Sequence, residues 1–219
     1  MNTNATTTSF SPLEADLPRF KRLVWEMCTN VVLAAFFFRF AWIQGEAFFT
    51  WYRLSTLLLL VKVSSDVFFY LIRKPPEKVS MSLYDWTVAI MGTYAVILFM
   101  PAGASHDTLF GQIVQCVGLG LQIFAMASLN RSIGVVAANR GIKTGGMYRW
   151  VRHPLYLSYV VAFGGYLINQ FSYWNAAVYC GAVLLWMLRI MAEERLLTQD
   201  ESYREYATRV RWKMIPGLV

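Results

Sequence analysis

The chain has 219 residues, of which 57% are hydrophobic and only 15% are Asp, Glu, Lys or Arg. A soluble domain carries about 25% charged residues, so this chain lacks the polar side chains to wet a globular surface, and a soluble single domain is excluded. At about 20 apolar residues per membrane-spanning helix, the length accommodates one compact helical membrane domain of about six spans, with no room for a second. The formal net charge of +7 is compatible with nucleic acid, anionic lipid or membrane topology alone, and the positions of the charges decide among them.

In chain order, the first 20 residues are polar, with Glu14 and Asp16, and lack a basic start followed by a cleavable apolar run, so no signal peptide is expected. The stretches Leu23–Trp42 and Leu54–Ile72 are apolar enough to span despite Glu26, Arg39, Lys62 and Asp66. Trp86–His106 and Thr108–Asn130 contain no Asp, Glu, Lys or Arg and are the two cleanest spans. His153–Leu188 is also free of those residues but is broken at Asn169-Gln170-Phe171-Ser172-Tyr173-Trp174-Asn175. It reads as a tight hairpin of two helices, about Pro154–Phe171 and Ala176–Glu194. The fold class is therefore an all-α integral membrane protein of about six transmembrane helices.

Six spans place Arg19, Lys21 and Arg22, then Arg73, Lys74 and Lys78, then Arg131, Arg140, Lys143, Arg149 and Arg152, and finally Arg195, Arg204, Arg209, Arg211 and Lys213 on one face, which is sixteen of the 20 basic residues. Arg53 alone falls on the opposite side. Lys and Arg in short loops collect on the cytoplasmic side, so both termini are expected to be cytoplasmic. Five or seven spans would scatter these clusters over both faces. The basic residues follow topology rather than forming one module, so nucleic-acid binding is not supported. Trp42, Trp51, Tyr173 and Trp174 on one side, and Tyr84, Trp86, Tyr148 and Trp150 on the other, match two aromatic belts.

Lys62 and Asp66 stand four residues apart inside the second span, on one helix face. Unpaired charge is costly in hydrocarbon, so they form either a self-neutralising pair, with Arg39 nearby, or part of a substrate pathway. Cys28, Cys116 and Cys180 are solitary in apolar runs and read as small packing residues, with neither a disulfide framework nor a metal site.

Chemistry concentrates between Gly141 and Val219. Gly145-Gly146-Met147-Tyr148-Arg149-Trp150-Val151-Arg152-His153-Pro154-Leu155-Tyr156 is followed, beyond the hairpin, by Met191-Ala192-Glu193-Glu194-Arg195-Leu196-Leu197. With the turn near Tyr173, His153 and Glu193 are symmetric about it. About 18 residues out and back at about 1.5 Å each return the chain to one membrane face, so Arg152, His153, Glu193 and Glu194 meet at the cytoplasmic interface. Pro154 suits the first position of a helix, which makes His153 the N-cap and leaves backbone N–H groups directed at the cytoplasm. Such an N-terminus beside Arg152 and His153 receives a carboxylate, and Glu193 and Glu194 accept from an ammonium group. Tyr148, Trp150 and Tyr156 offer faces to an adenine or a sulfonium. Those are the parts of S-adenosylmethionine. An interfacial salt-bridge network without a ligand is the competing reading of the same residues.

The order Gly-x-Tyr-Arg-x-x-Arg-His-Pro-x-Tyr, an apolar hairpin, Glu-Glu-x-x-Leu, then Tyr203-x-x-Tyr206 and Ile215-Pro216, resembles the isoprenylcysteine carboxyl methyltransferase and phospholipid methyltransferase superfamily. The resemblance covers about Leu109–Val219. It implies a C-terminal, cytoplasm-facing S-adenosylmethionine pocket lined by Arg152, His153, Tyr156, Glu193 and Glu194, with the tail Asp200–Val219 folded over it. One departure stands out: Ser158 replaces the glycine usual two residues after Tyr156, and its side chain narrows the cofactor site or the adjoining helix contact. The chain then divides into residues 1–82, a polar tail with two helices outside the resemblance, and residues 83–219, a methyltransferase core of four helices and a tail.

A sulfonium methyl donor is intrinsically reactive, so the protein mainly aligns nucleophile and methyl and excludes water. An amine acceptor needs a base, for which Glu194 or Glu193 is placed. For a carboxylate acceptor, Arg195 either positions the substrate or faces lipid headgroups. The leading expectation is an integral-membrane, S-adenosylmethionine-dependent methyltransferase acting on a lipophilic acceptor from the bilayer, with carboxyl methylation of an isoprenylcysteine-type substrate foremost. Methylation of an amino-phospholipid or a small thiol is the alternative. Two other classes compete. A membrane reductase would need a nicotinamide site, and a channel or transporter would need polar residues at mid-membrane in several helices. A monomer suffices.

Overall fold

The computed structural model describes residues 36–71, 78–79, 82–102, 107–129, 138–139 and 142–217. Several expectations lie outside them: the N-terminal polar stretch with its basic cluster, most of the Leu23–Trp42 span, Cys28, and the loop residues Arg73, Lys74, Arg131 and Arg140. The chain divides into two compact units, Met1–Arg39 and Phe40–Val219. The second holds every candidate site residue.

The fold is helical. Helix α1 is described over residues 36–51, followed by α2 (Leu54–Leu71), α3 (Leu83–Tyr94) with a 3-10 extension (Ala95–Leu98), α4 (Leu109–Leu129), α5 (Pro154–Asn169), α6 (Tyr173–Leu197) and α7 (Glu201–Arg209). A two-residue antiparallel ladder, β1 (Lys78–Val79) with β2 (Ala138–Asn139), is a small exception to the all-helical expectation. Among the described residues, α4 and α6 are long and apolar enough to cross a bilayer, and α3 with its extension is a shorter apolar helix.

The Trp86–His106 window therefore does not run as one helix. Pro101 disfavours helical backbone at the residue before it, and the chain turns extended at Phe99 (φ −64°, ψ 131°). The groups released there are taken up by a side chain: Asn175 Oδ1 accepts from Met100 N at 3.0 Å, and Asn175 Nδ2 donates to Met100 O at 2.7 Å. The hairpin forms where the polar break stands. Helix α5 ends at Asn169, and Ser172 caps α6 by accepting from Asn175 N.

Helices α4 and α5 make the closest packing. A Cβ on Gly118 would collide with the backbone of Ala162, and one on Gly165 would lie 2.6 Å from Gln115 N. Glycine at these two positions lets the backbones approach, the small-residue packing that substitutes for a hydrophobic drive within lipid. Phe99, Phe163, Tyr166 and Trp186 fill the interior, with the Phe99 and Phe163 rings stacked at 5.1 Å.

Arg53 is not an exposed loop cation. Its side chain is 3% exposed, its Nε lies 2.8 Å from Asp107 Oδ1, and it also donates to the carbonyl of Asn169. Asp107 in turn accepts from Ser55 N and Ser55 Oγ, while Gln170 Nε2 donates to Ser55 Oγ at 2.8 Å. This buried network ties the start of α2, the start of α4 and the α5–α6 turn together at the end of the molecule remote from His153. Lys62 and Asp66 are indeed paired, at 2.7 Å. Asp66 also accepts from Gln122 Nε2 at 2.9 Å and Tyr159 OH at 3.2 Å, and Lys62 Nζ sits 3.8 Å above the Tyr159 ring. Cys116 and Cys180 are exposed rather than packed, because each falls on an outward helix face.

Candidate active site

The site is built where the segment before α5 meets the end of α6. Gly146 begins it. Its backbone is left-handed (φ +59°), and a Cβ there would strike Ser128 Oγ at the end of α4. Met147 N donates to that hydroxyl at 3.2 Å, which seats the 3-10 turn Gly146–Arg149 against α4. Pro154 occupies the first turn of α5 and His153 is its N-cap residue.

Glu194 Oε1 is the hub. It lies 2.8 Å from His153 Nε2, accepts from Tyr203 OH at 2.6 Å and stands 3.2 Å from Arg152 Nε. Glu193 is less committed: Oε1 accepts from Tyr156 OH at 2.5 Å, while Oε2 is 3.7 Å from His153 Nδ1, beyond hydrogen-bond reach. The Glu193 side chain is 22% exposed against 13% for Glu194, and His153 is buried. The structure thus brings together Arg152, His153, Pro154, Tyr156, Glu193 and Glu194.

The tail closes one side. Arg152 N donates to Trp212 O at 3.0 Å and His153 N to Lys213 O at 2.7 Å. The N–H groups of the N-cap residue and of the residue before it therefore hold tail carbonyls. Tyr206 OH donates to Tyr148 O at 2.5 Å, and Tyr148, Tyr203, Tyr206 and Val210 form one apolar cluster under α7. Tyr148 is thus a seat for the tail, whereas Trp150 is exposed. Burial pushes the Tyr206 hydroxyl up to about 12, against the pull of Arg152, with Glu194 adding to the rise. Burial likewise raises Tyr203, reinforced by its hydrogen bond to Glu194, and raises Tyr148. All three hydroxyls stay protonated and available as donors at neutral pH.

Arg195 stands apart from the hub. Its side chain is 59% exposed, and Nη1 lies 3.7 Å from Oδ1 of Asp85, a buried residue in the first turn of α3. Ser158 is fully buried, and its hydroxyl donates to Leu155 O at 2.6 Å within its own helix.

Two neighbours escaped the sequence reading as site residues. Arg189, buried one turn before Glu193, places its guanidinium carbon 5.4 Å from the centre of the Tyr156 ring and donates through Nη1 to Thr93 Oγ1 at 3.1 Å. Its i,i+4 spacing to Glu193 was the available signal. Tyr159 packs edge-on against Tyr156 at 6.0 Å and connects this layer to Asp66.

Comparison with curated proteins finds no match. Residues 109–199, which contain the 3-10 turn, the hairpin and both glutamates of the hub, match the model of the isoprenylcysteine carboxyl methyltransferase family. The resemblance read from the sequence holds over that stretch, where the chain is similar to that family.

Proposed function

We propose that this protein is an integral-membrane methyltransferase that uses S-adenosylmethionine and methylates a lipophilic acceptor reaching the site from the bilayer, with the carboxylate of an isoprenylcysteine-type substrate fitting best. In this reading the chain crosses the membrane six times with both termini cytoplasmic, residues 83–219 form the methyltransferase core, and the protein acts as a monomer. The family match supports a membrane methyltransferase. The observation that carries the cofactor reading is the unequal state of the two adjacent glutamates: Glu194 Oε1 is hydrogen-bonded to His153 and Tyr203 and ion-paired with Arg152, whereas Glu193 Oε1 takes the single bond from Tyr156 OH and its Oε2 lies beyond hydrogen-bond reach of His153.

That donor set fits the amino-acid end of S-adenosylmethionine. Arg152 answers a carboxylate with a planar guanidinium, and Glu193 answers an ammonium. When bound, the cofactor supplies a methyl group on a sulfonium, which needs no acid to activate it. The residues then have four tasks. Arg152 and Glu193 bind and orient. Glu194 fixes Arg152 and His153 and, through Tyr203, holds the tail. The Tyr148–Tyr203–Tyr206 cluster keeps water from that side. Arg195, propped by Asp85, orients an anionic acceptor group at the outer edge. A carboxylate is already ionised at neutral pH and needs no base. This is consistent with a hub glutamate committed to donors rather than poised to take a proton.

The test is calorimetry of S-adenosylhomocysteine binding to the detergent-solubilised protein, with NADPH as the comparison, followed by transfer of labelled methyl to isoprenylcysteine, amino-phospholipid and thiol acceptors. Binding of S-adenosylhomocysteine and a base-labile product from the isoprenylcysteine acceptor are expected. NADPH binding without S-adenosylhomocysteine binding would sink the reading. A base-stable product from an amine or thiol would replace the acceptor while keeping the cofactor.

A further inference from the structure

Two exposed segments meet beside the hub, and neither has a task in the chemistry above. One is Arg149-Trp150, ahead of α5, and the other is Arg211-Trp212, in the tail after α7. Trp150 is 67% exposed and Trp212 41%, and both arginines are exposed. The guanidinium carbon of Arg149 lies 5.6 Å from the centre of the Trp150 ring. The segments run side by side, because Arg152 N bonds Trp212 O and His153 N bonds Lys213 O. Their height follows from the hairpin: α5 begins at Pro154 and α6 ends at Leu197, so in the six-span reading both lie where those two helices leave the membrane.

Exposed tryptophan at that level is placed for the headgroup zone, where an amphipathic ring has one wet edge and one apolar edge. Arginine adds a planar donor fork that matches phosphate oxygens. Lys213 follows in sequence, and exposed Arg209 stands nearby with Glu205 at 3.9 Å. Positive charge thus dominates the rim. A zwitterionic lipid brings its own cation with its phosphate, whereas an anionic headgroup brings a net negative charge that the rim complements.

We propose that the Arg149-Trp150 and Arg211-Trp212 rim binds the headgroup of an anionic phospholipid from the surrounding bilayer, and that the lipid, bridging both segments, holds the tail against Arg152 and His153. The proposal rests on the membrane reading of α5 and α6 and not on the methyl-transfer chemistry.

The experiment uses the full chain in detergent, titrated with dioleoyl phosphatidylglycerol, dioleoyl phosphatidylcholine or inorganic phosphate, with amide hydrogen exchange read over residues 149–154 and 209–215. Phosphatidylglycerol is expected to slow exchange in both segments by about threefold or more, since exchange reports local opening. Phosphatidylcholine and phosphate leave it unchanged, and the Arg149→Gln/Arg211→Gln variant loses the response while keeping its thermal midpoint. Equal slowing by phosphatidylcholine overturns the proposal, because charge is then not read. Slowing by phosphate alone overturns it in favour of a soluble anion, and an undiminished response in the variant overturns it outright. No arm requires cofactor or turnover, so failure of the methyltransferase reading leaves this test intact.

Discussion

The His153 imidazole and the Glu194 carboxylate meet at 2.8 Å between residues 41 positions apart, joining the first residue before α5 to the last turns of α6. The same Glu194 oxygen receives Tyr203 from α7, so one atom fastens the hairpin and the tail. Hydrogen bonds to a charged acceptor contribute about 1.5–3 kcal/mol, so Glu194→Gln is expected to lower stability by about that amount and to free the tail. Glu193→Gln, which touches only the single bond from Tyr156 OH, is expected to lower the thermal midpoint less than Glu194→Gln and to weaken S-adenosylhomocysteine binding about tenfold or more, a loss of about 1.4 kcal/mol or more. Melting curves and calorimetry on the two variants check this division. Indistinguishable variants would show that the hub and the ligand contact are not separate.

The tail should also come loose in alkali. The neutral Tyr206 hydroxyl is the buried form, with its folded value raised from 10.0 to about 12. The stability it contributes is therefore fully present below pH 10 and is lost as pH rises through about 12. Tyr203 and Tyr148 are raised in the same direction and add to the effect. Tyrosinate absorbance followed against pH should show a late ionising class coincident with faster proteolysis of the tail, and Tyr206→Phe should remove part of that class. Complete ionisation near pH 10 would contradict the packing.

Gly118 and Gly165 set the spacing of α4 and α5. A methyl at Gly118 meets the backbone of Ala162, which cannot step aside as a flexible side-chain tip does. Overpacking of this kind costs about 1–3 kcal/mol, so Gly118→Ala should lower the melting temperature in detergent markedly. At Gly120, where a Cβ meets nothing within 4 Å, alanine should be tolerated. Equal melting temperatures for the two variants would argue against the close approach.

Lys62 and Asp66 make a double-mutant cycle informative. Lys62 is buried, and removing it alone leaves Asp66, among the described residues, with the hydrogen bonds of Gln122 and Tyr159. Breaking one side of a buried ion pair costs about 3–5 kcal/mol, whereas neutralising both sides costs far less. Lys62→Met should therefore be the more damaging change and Lys62→Met/Asp66→Asn should recover most of the loss, read as unfolding midpoints. Strict additivity would show that the pair is not a unit.

How much of this was readable along the chain depended on the range of the physics involved. The apolar windows, the hairpin break at Asn169–Asn175 and the meeting of Arg152, His153, Glu193 and Glu194 were legible because helical rise and the return of a hairpin are local, periodic properties. The early end of α3 was not read, although Pro101 stood in its window, because charge-free composition says nothing about where backbone partners run out. Arg53, assigned by its charge to a loop, is instead the centre of a buried network whose members come from three separate segments.

The sequence by itself determined the membrane class, the hairpin and the residues that the hairpin delivers to one end. Only the tertiary structure decided how those residues divide their work. Glu193 and Glu194 are chemically identical neighbours, and their difference arises from the rotation of about 100° between adjacent helix positions: it points Glu194 at His153, Arg152 and Tyr203, and leaves Glu193 hydrogen-bonded to Tyr156. In the same way, nothing in the residues before Pro154 shows that the Arg152 and His153 N–H groups hold the tail, since their partners lie about 60 positions away and are carbonyls that every residue type carries.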